Sequence, residues 1–242
     1  MRHSEYIRKV PGSKKAVVLL HGILGSPWHF RELLPLIPED HSVYAILLDG
    51  HGKQVMDFAR SSMSLWKKQV SQLLDNVLQE HEEIILVGHS MGTLFAIQES
   101  IRHPEKIRHL FLLQCPLRPR VTLKAAIHTA LLPFGIITET NRLSHEDCSL
   151  TLNPRLWEYL LWLPRFLELF AEAGKTRKLL ADITADCHVV QSKKDEMVSM
   201  GSYRDLMRHP HLHLTLLPHS GHYGYVSDDL ELVQEEFSKL FA

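Results

Sequence analysis

Four stretches of the chain are apolar almost without interruption: "KKAVVLLHG" (Lys14–Gly22), "SVYAILLDGHG" (Ser42–Gly52), "EIILVGHS" (Glu83–Ser90) and "IRHLFLLQCPL" (Ile107–Leu117). Each is rich in Val, Ile and Leu, and each runs into glycine, proline or a polar turn. The pattern predicts strands buried on both faces, since a strand with one wet face would alternate polar and apolar residues. The segments between them have a longer period. Pro27 to Leu36 predicts a short helix, and Ser64 is placed to cap a helix through "LWKKQVSQLLDNVLQE", where Leu65, Val70, Leu73, Leu74 and Val77 recur at helical spacing. "MGTLFAIQESIRHP" predicts a helix that Pro104 stops. "CHVVQS" (Cys187–Ser192) and "LHLTLLPHS" (Leu212–Ser220) predict two shorter strands, and Asp228 to Phe241 predicts a closing amphipathic helix. Strands alternating with helices imply an α/β architecture with a mostly parallel central sheet and helices on both faces.

The rhythm breaks between residues 118 and 185. This segment carries Phe134, Trp157, Tyr159, Trp162, Phe166 and Phe170, and Pro119, Pro133, Pro154 and Pro164 punctuate it. It reads as a helical insertion into one core made of residues 1–117 and 186–242. At 242 residues the chain suits a single α/β domain. Lys and Arg number 27 against 28 Asp and Glu, so the basic excess needed to neutralise a nucleic-acid backbone is missing and nucleic acid is demoted as a partner. No apolar run reaches the ~20 residues that span a bilayer, so stable membrane insertion is not expected, and the N-terminal sequence lacks the apolar stretch of a secretory signal; the expected location is cytoplasmic. Cys115, Cys148 and Cys187 are scattered and expected to be reduced thiols.

The chemistry begins at Gly88-His89-Ser90-Met91-Gly92, a G-x-S-x-G pentapeptide lying between a predicted strand and a predicted helix. A serine hydroxyl is a weak nucleophile unless a base takes its proton. A sharp strand-to-helix turn lifts the side chain above the sheet, and the flanking glycines let neighbouring backbone approach. The Met91 N–H then faces out at a helix N-terminus, where developing negative charge is favoured. Among 17 histidines, two follow the last predicted strand, His219 and His222. Glycine before His222 permits a tight turn and favours it. The loop "KKDE" offers Asp195 and Glu196 as carboxylates to orient that histidine; alone it reads as a solvated charged loop. His209, His211 and His213 alternate as on one strand face, but Leu212, Leu214 and Leu216 opposite them fit a half-solvated strand. No cysteine or carboxylate accompanies the three histidines, so no metal is expected, and no cofactor.

With these motifs together, the chain resembles the α/β-hydrolase fold superfamily, in particular its lid-bearing carboxylesterase, monoacylglycerol-lipase and serine-aminopeptidase-like group. "LLHGILGS" (Leu19–Ser26) resembles that family's oxyanion loop, "LDGHG" (Leu48–Gly52) the loop after its next strand, "GHSMG" its nucleophile elbow and "SGHYGY" (Ser220–Tyr225) its histidine loop. The resemblance implies Ser90 as nucleophile, His222 as base and Asp195 as orienting acid, in the chain order of the fold. It implies backbone N–H groups of Ile23 and Met91 as the oxyanion hole. It also makes residues 118–185 a lid, with Trp157, Trp162 and Phe166 as expected substrate contacts. His89 and His51 are expected to pack or hydrogen-bond locally. The expected substrate is a small to medium carboxylic ester. Monoacylglycerol lipase or lysophospholipase, thioesterase, aminopeptidase, acyl transferase and a non-catalytic binding protein stand as alternatives. An aminopeptidase would need acids in the lid near the site, for which Glu158, Glu168 and Glu172 are present. Oligomeric state is left open.

Overall fold

The computed structural model describes residues 3–120, 122, 131–138 and 142–241. Seven strands form one sheet: β1 (Tyr6–Arg8), β2 (Lys15–Leu20), β3 (Ser42–Ala45), β4 (Glu83–His89), β5 (Ile107–Leu113), β6 (Asp186–Ser192) and β7 (Leu212–Leu217), in the order β1-β3-β2-β4-β5-β6-β7. Only β1 runs antiparallel. Among the described residues the α-helices are α1 (Val55–Arg60), α2 (Met63–Glu80), α3 (Met91–Arg102), α4 (Arg142–Asp147), α5 (Leu156–Leu160), α6 (Leu163–Thr176), α7 (Met200–Leu206) and α8 (Ser227–Ser238).

The unbroken apolar runs have the predicted cause. Along β2, Ala16, Val18 and Leu20 enter one core with Trp66, Val70 and Leu74 of α2 and Phe95 of α3. Val17 and Leu19 enter a second core on the opposite face, with Phe30, Leu33, and Val233 and Phe237 of α8. Because side chains alternate across a strand, two covered faces demand apolar residues at both parities.

Several boundaries differ from the sequence reading, each for a local reason. β3 ends at Ala45, before the apolar run Ile46–Leu48 gives way to the expected glycine-bearing loop, because these residues leave the sheet: the Leu48 N–H donates to His21 Nε2 (3.0 Å) and the Asp49 N–H to Gln69 Oε1 (2.8 Å). Ile46 and Leu48 are apolar because they are buried, not because they pair. β5 ends at Leu113, where Gln114 takes a positive φ of 54° and its side chain binds Ser192. Pro27–Phe30 and Leu34–Leu36 are two 3-10 turns in place of one helix. Ser62, not Ser64, caps α2 by accepting from the Leu65 N–H. β1 and α1 were not anticipated. β1 is three residues at the sheet edge with mostly exposed side chains, so it has no apolar signature.

Between β5 and β6 the chain forms α4, α5 and α6 among its described residues. Trp162, Leu169 and Ala173 anchor this segment to the core, whereas Trp157, Leu160, Leu163 and Leu167 are exposed. No helix of the described residues is long and apolar enough to cross a membrane.

Candidate active site

The site begins where β4 gives way to α3. Ser90 sits at φ 51°, ψ −120°, a left-handed conformation that a non-glycine residue holds only at some cost. The turn is held from both sides: the Ser90 N–H donates to Leu113 O (2.8 Å), while its carbonyl accepts from the Thr93 N–H (3.0 Å) and Thr93 Oγ1 (2.7 Å). The two glycines of the pentapeptide are required by contact. A Cβ at Gly88 would lie 2.7 Å from Thr93 backbone atoms, and one at Gly92 only 1.8 Å from Leu20 O.

The other reactive groups arrive on loops after β6 and β7. His222 Nε2 lies 3.1 Å from Ser90 Oγ, and His222 Nδ1 lies 2.8 Å from Asp195 Oδ2. All three side chains are buried. The second Asp195 oxygen accepts from the N–H groups of Met197 and Val198, each at 2.7 Å, which fixes the carboxylate face presented to the ring. Glu196 plays a different part: its Oε2 accepts from the His222 backbone N–H at 3.2 Å. His219 is tied through its backbone N–H to Asp229 and does not approach Ser90. Burial by itself pushes the His222 pKa down, but the charge and hydrogen bond of Asp195, with the charges of Glu196 and Asp147, outweigh it and raise the pKa above the ordinary value.

Ile23 and Met91 flank this arrangement. The Met91 N–H belongs to the first residue of α3 and has no partner one turn earlier. The Ile23 loop is shaped by two buried histidines. His21 Nδ1 donates to Gly22 O (2.8 Å) while its Nε2 accepts from Leu48, and His51 Nε2 accepts from the Leu24 N–H (3.1 Å). Burial holds the His51 pKa down to about 4, and burial plus the nearby His51 holds His21 well below its usual value. Both rings are therefore neutral acceptors near neutrality.

His89 packs and hydrogen-bonds locally as expected, while its partners His29, Arg31 and Asp147 escaped the sequence reading. His89 stacks on His29 with ring centroids 3.4 Å apart, and its Nε2 donates to His222 O (3.3 Å). His29 Nδ1 meets Asp147 Oδ2 at 3.3 Å, and Arg31 reaches Asp147 Oδ1 at the same distance. Asp147, at the end of α4, is thus a buried carboxylate from the inserted segment. Nothing in "RLSHED" distinguishes it from a solvated helix end, so no sequence signal was there to find it.

A narrow cavity of about 40 Å³ is lined by Ile23, Leu24, Asp147, Leu152, Tyr159, Trp162 and Tyr223 among others; Ser90 and His222 are not among its lining residues. Of the three aromatic contacts expected, only Trp162 lines this cavity. It is 5% exposed, and its Nε1–H donates to Val55 O at 3.0 Å. Trp157 is 60% exposed and turned out of the cavity lining, and Phe166 packs against the core instead. Helical spacing around Pro164 could not assign these faces. The three candidate acids of the insertion are engaged elsewhere: Glu158 with Asn153, Glu168 with the Met63 N–H and Arg165, and Glu172 with Lys67 and Gln98. None of them lines the cavity.

A seven-stranded, mostly parallel sheet with a serine on a strained strand-to-helix turn and a histidine after the last strand defines an α/β hydrolase. Residues 17–235 match the model of the Alpha/beta hydrolase family, and the chain belongs to that family. It is 29% identical over 116 residues to a pimeloyl-[acyl-carrier protein] methyl ester esterase of Neisseria meningitidis, a match covering 46% of this chain and 41% of that protein. The chain spans about 40% of the length of the curated relatives it matches. Among solved structures, one from a study of the metagenome-derived lipolytic enzymes LipS and LipT superposes with a TM-score of 0.74 at 20% identity, covering 98% of this chain and 96% of that one. The monoacylglycerol lipase of Paleococcus ferrophilus gives 0.67 at 17% identity, covering 100% and 97%. At these identities the structural likenesses speak to the fold.

Proposed function

We propose that the protein is a serine hydrolase of carboxylic esters. The observation that carries the reading is the continuous contact from Ser90 Oγ through the His222 ring to Asp195 Oδ2, at 3.1 and 2.8 Å. In this reading Ser90 Oγ attacks the ester carbonyl as His222 Nε2 takes its proton, and Asp195 holds Nδ1–H so that Nε2 is the free acceptor. The Ile23 and Met91 N–H groups receive the oxyanion, each such donor being worth ~3 kcal/mol in comparable enzymes. His222 passes its proton to the departing alcohol, leaving an acyl-enzyme on Ser90. Water then attacks that ester, His222 accepting its proton and returning it to Ser90 as the acid is released.

The segment between residues 118 and 185 acts as a lid in this reading. The cavity beneath it is apolar on the sides formed by Leu24, Leu152 and Trp162, which suits a short acyl chain, and ligand sites are generally several-fold larger than ~40 Å³. Longer acyl groups therefore require the lid to move. The engagement of Glu158, Glu168 and Glu172 away from the cavity, and the pairing of Asp147, which does line it, with Arg31 and His29, disfavour an aminopeptidase, which would need a carboxylate facing the substrate amine. The match to a methyl ester esterase supports ester over amide chemistry.

The test is hydrolysis of p-nitrophenyl esters of increasing acyl length by the wild type and by Ser90→Ala. Turnover that is lost in the variant and is greatest for short chains supports the reading. No turnover at any length, with no labelling of Ser90 by a fluorophosphonate, overturns it.

A further inference from the structure

At the opposite end of the sheet from Ser90, two strands bring three metal-ligating side chains to one point. Asp186 opens β6, His188 follows two residues later on the same face, and His213 of β7 is the register partner of His188. The two imidazole rings stack with centroids 4.7 Å apart and planes 28° apart. His213 Nε2 lies 3.2 Å from Asp186 Oδ1, and His188 Nε2 lies 3.6 Å from Asp186 Oδ2. One ligand atom from each of the three residues can be chosen so that all lie within 4.8 Å of one another.

We propose that Asp186, His188 and His213 form a binding site for a divalent transition-metal cation of the Zn²⁺ type. Bonds of roughly 2.0–2.2 Å in tetrahedral geometry put neighbouring ligand atoms about 3.4 Å apart. The separations of 3.2 and 3.6 Å, to the two different oxygens of Asp186, bracket that value, while a set of one ligand atom per residue spans up to 4.8 Å and would draw together on binding. Two imidazoles and one carboxylate select a borderline cation such as Zn²⁺, Co²⁺ or Ni²⁺ over Ca²⁺ or Mg²⁺. The Asp186 and His213 side chains are 44% and 62% exposed, so an ion enters from solvent and water completes its coordination.

The surroundings give independent support. A ligating histidine characteristically gives its other ring N–H to a carboxylate, which fixes the tautomer and ring direction. His188 Nδ1 faces Glu236 Oε2 of α8 at 3.4 Å, and Lys239 Nζ holds the other Glu236 oxygen at 2.7 Å. His109 of β5, the register partner of Asp186, brings its buried Nδ1 to 3.5 Å from Asp186 Oδ2, and that nitrogen has no hydrogen-bond partner among the described residues. The alternating histidines of the sequence are thus divided: His213 belongs to the cluster, while His209 and His211 stand before β7 and contact each other. The missing carboxylate is supplied from another strand, 27 residues earlier in the chain than His213. A bound ion would fasten the last strand of the sheet, β7, to β6. It takes no part in the ester chemistry.

The experiment is calorimetric titration of the metal-stripped protein with Zn²⁺, with Co²⁺ absorption spectra as a second reading of ligand type, on the wild type, His213→Ala, Asp186→Asn, Glu236→Gln and the double variant His209→Ala/His211→Ala. His213 is exposed, so its variant folds, and unchanged ester hydrolysis verifies this. The wild type and the His209/His211 variant should take up one equivalent with the same affinity and gain thermal stability from it. Glu236→Gln should weaken binding ~10–100-fold, and loss of a direct ligand by at least as much. Equal Zn²⁺ affinity in wild type, His213→Ala and Asp186→Asn overturns the proposal, as does loss of the site in the His209/His211 variant alone, or no uptake by the wild type at stoichiometric concentrations.

Discussion

Acidification should destabilise this protein steeply, and His51 provides a measurable share of the effect. Its ring is buried, accepts from the Leu24 N–H through Nε2, and directs Nδ1 at the carbonyls of Leu48 and Asp49, both at 3.2 Å. Burial lowers its pKa to about 4, against 6.5 in an unfolded chain. Between those values the unfolded chain binds a proton that the folded protein refuses, so stability is intact above pH 6.5 and falls as the pH drops toward 4. Integrating the difference from neutrality to pH 5 gives about 2 kcal/mol from His51 alone. His21 and His89, held low by burial and neighbouring rings, add losses of the same sign, while His222, whose pKa is raised, works in the opposite direction. His89 and His222 are common to wild type and a His51→Gln variant, whose amide replaces the acceptor without titrating; His21 loses the repulsion of His51 there, which shrinks its own acid-side loss in the same direction. Urea unfolding at pH 7 and pH 5 should show the stability difference between the two pH values shrink by about 2 kcal/mol in the variant. Parallel pH dependences in the two proteins would refute the reasoning, because His51 would then be protonated equally in both states.

The same structure fixes other outcomes. Asp195→Asn should lower kcat by ~10⁴-fold with little change in KM; Glu196→Gln, which loses only a contact to the His222 backbone, should cost far less, and steady-state kinetics on one ester separates them. Because His222 must be neutral to accept the Ser90 proton and its pKa is raised, the acidic limb of kcat/KM should fall above pH 6.5, as a pH–rate profile would show; a limb below that value contradicts the Asp195 contact. Trp162→Ala should destabilise by about 3–5 kcal/mol in thermal or chemical unfolding, since it removes a buried ring packed on Phe58, whereas exposed Trp157→Ala should change stability by less than ~0.5 kcal/mol.

What was legible in the sequence follows from what each feature requires of its neighbours. Four central strands, β2 to β5, announce themselves because a strand covered on both faces is apolar at nearly every position, and Ser90 because its turn excludes a Cβ at Gly88 and Gly92. His222 and Asp195 come together as chain order suggested, and His219 and Glu196 separate from them only through backbone bonds that no composition encodes. Strand ends were overestimated at Ile46–Leu48, since burial without pairing leaves the same apolar trace as a strand. The aromatics of residues 157–166 could not be assigned to faces, because two short helices and a proline reset the helical phase between Trp157 and Phe166.

The contact between the inserted segment and the core bears on the chemistry as well as on access. Among the described residues of that segment, Asp147 is the group whose charge contributes to raising the His222 pKa, and it is held in place by Arg31 and His29 from the core side. His29 in turn stacks on His89, which donates to the His222 backbone. Burying Asp147 as an anion is costly unless it is paired, so Arg31 and His29 hold this part of the segment against the core. Moving the segment away would remove one negative charge from the neighbourhood of His222 and lower its pKa toward that set by Asp195 and Glu196 alone. In the proposed mechanism, the docked segment therefore raises the basicity of the ring that must accept the serine proton, and the ion pair that holds Asp147 against the core tunes that base.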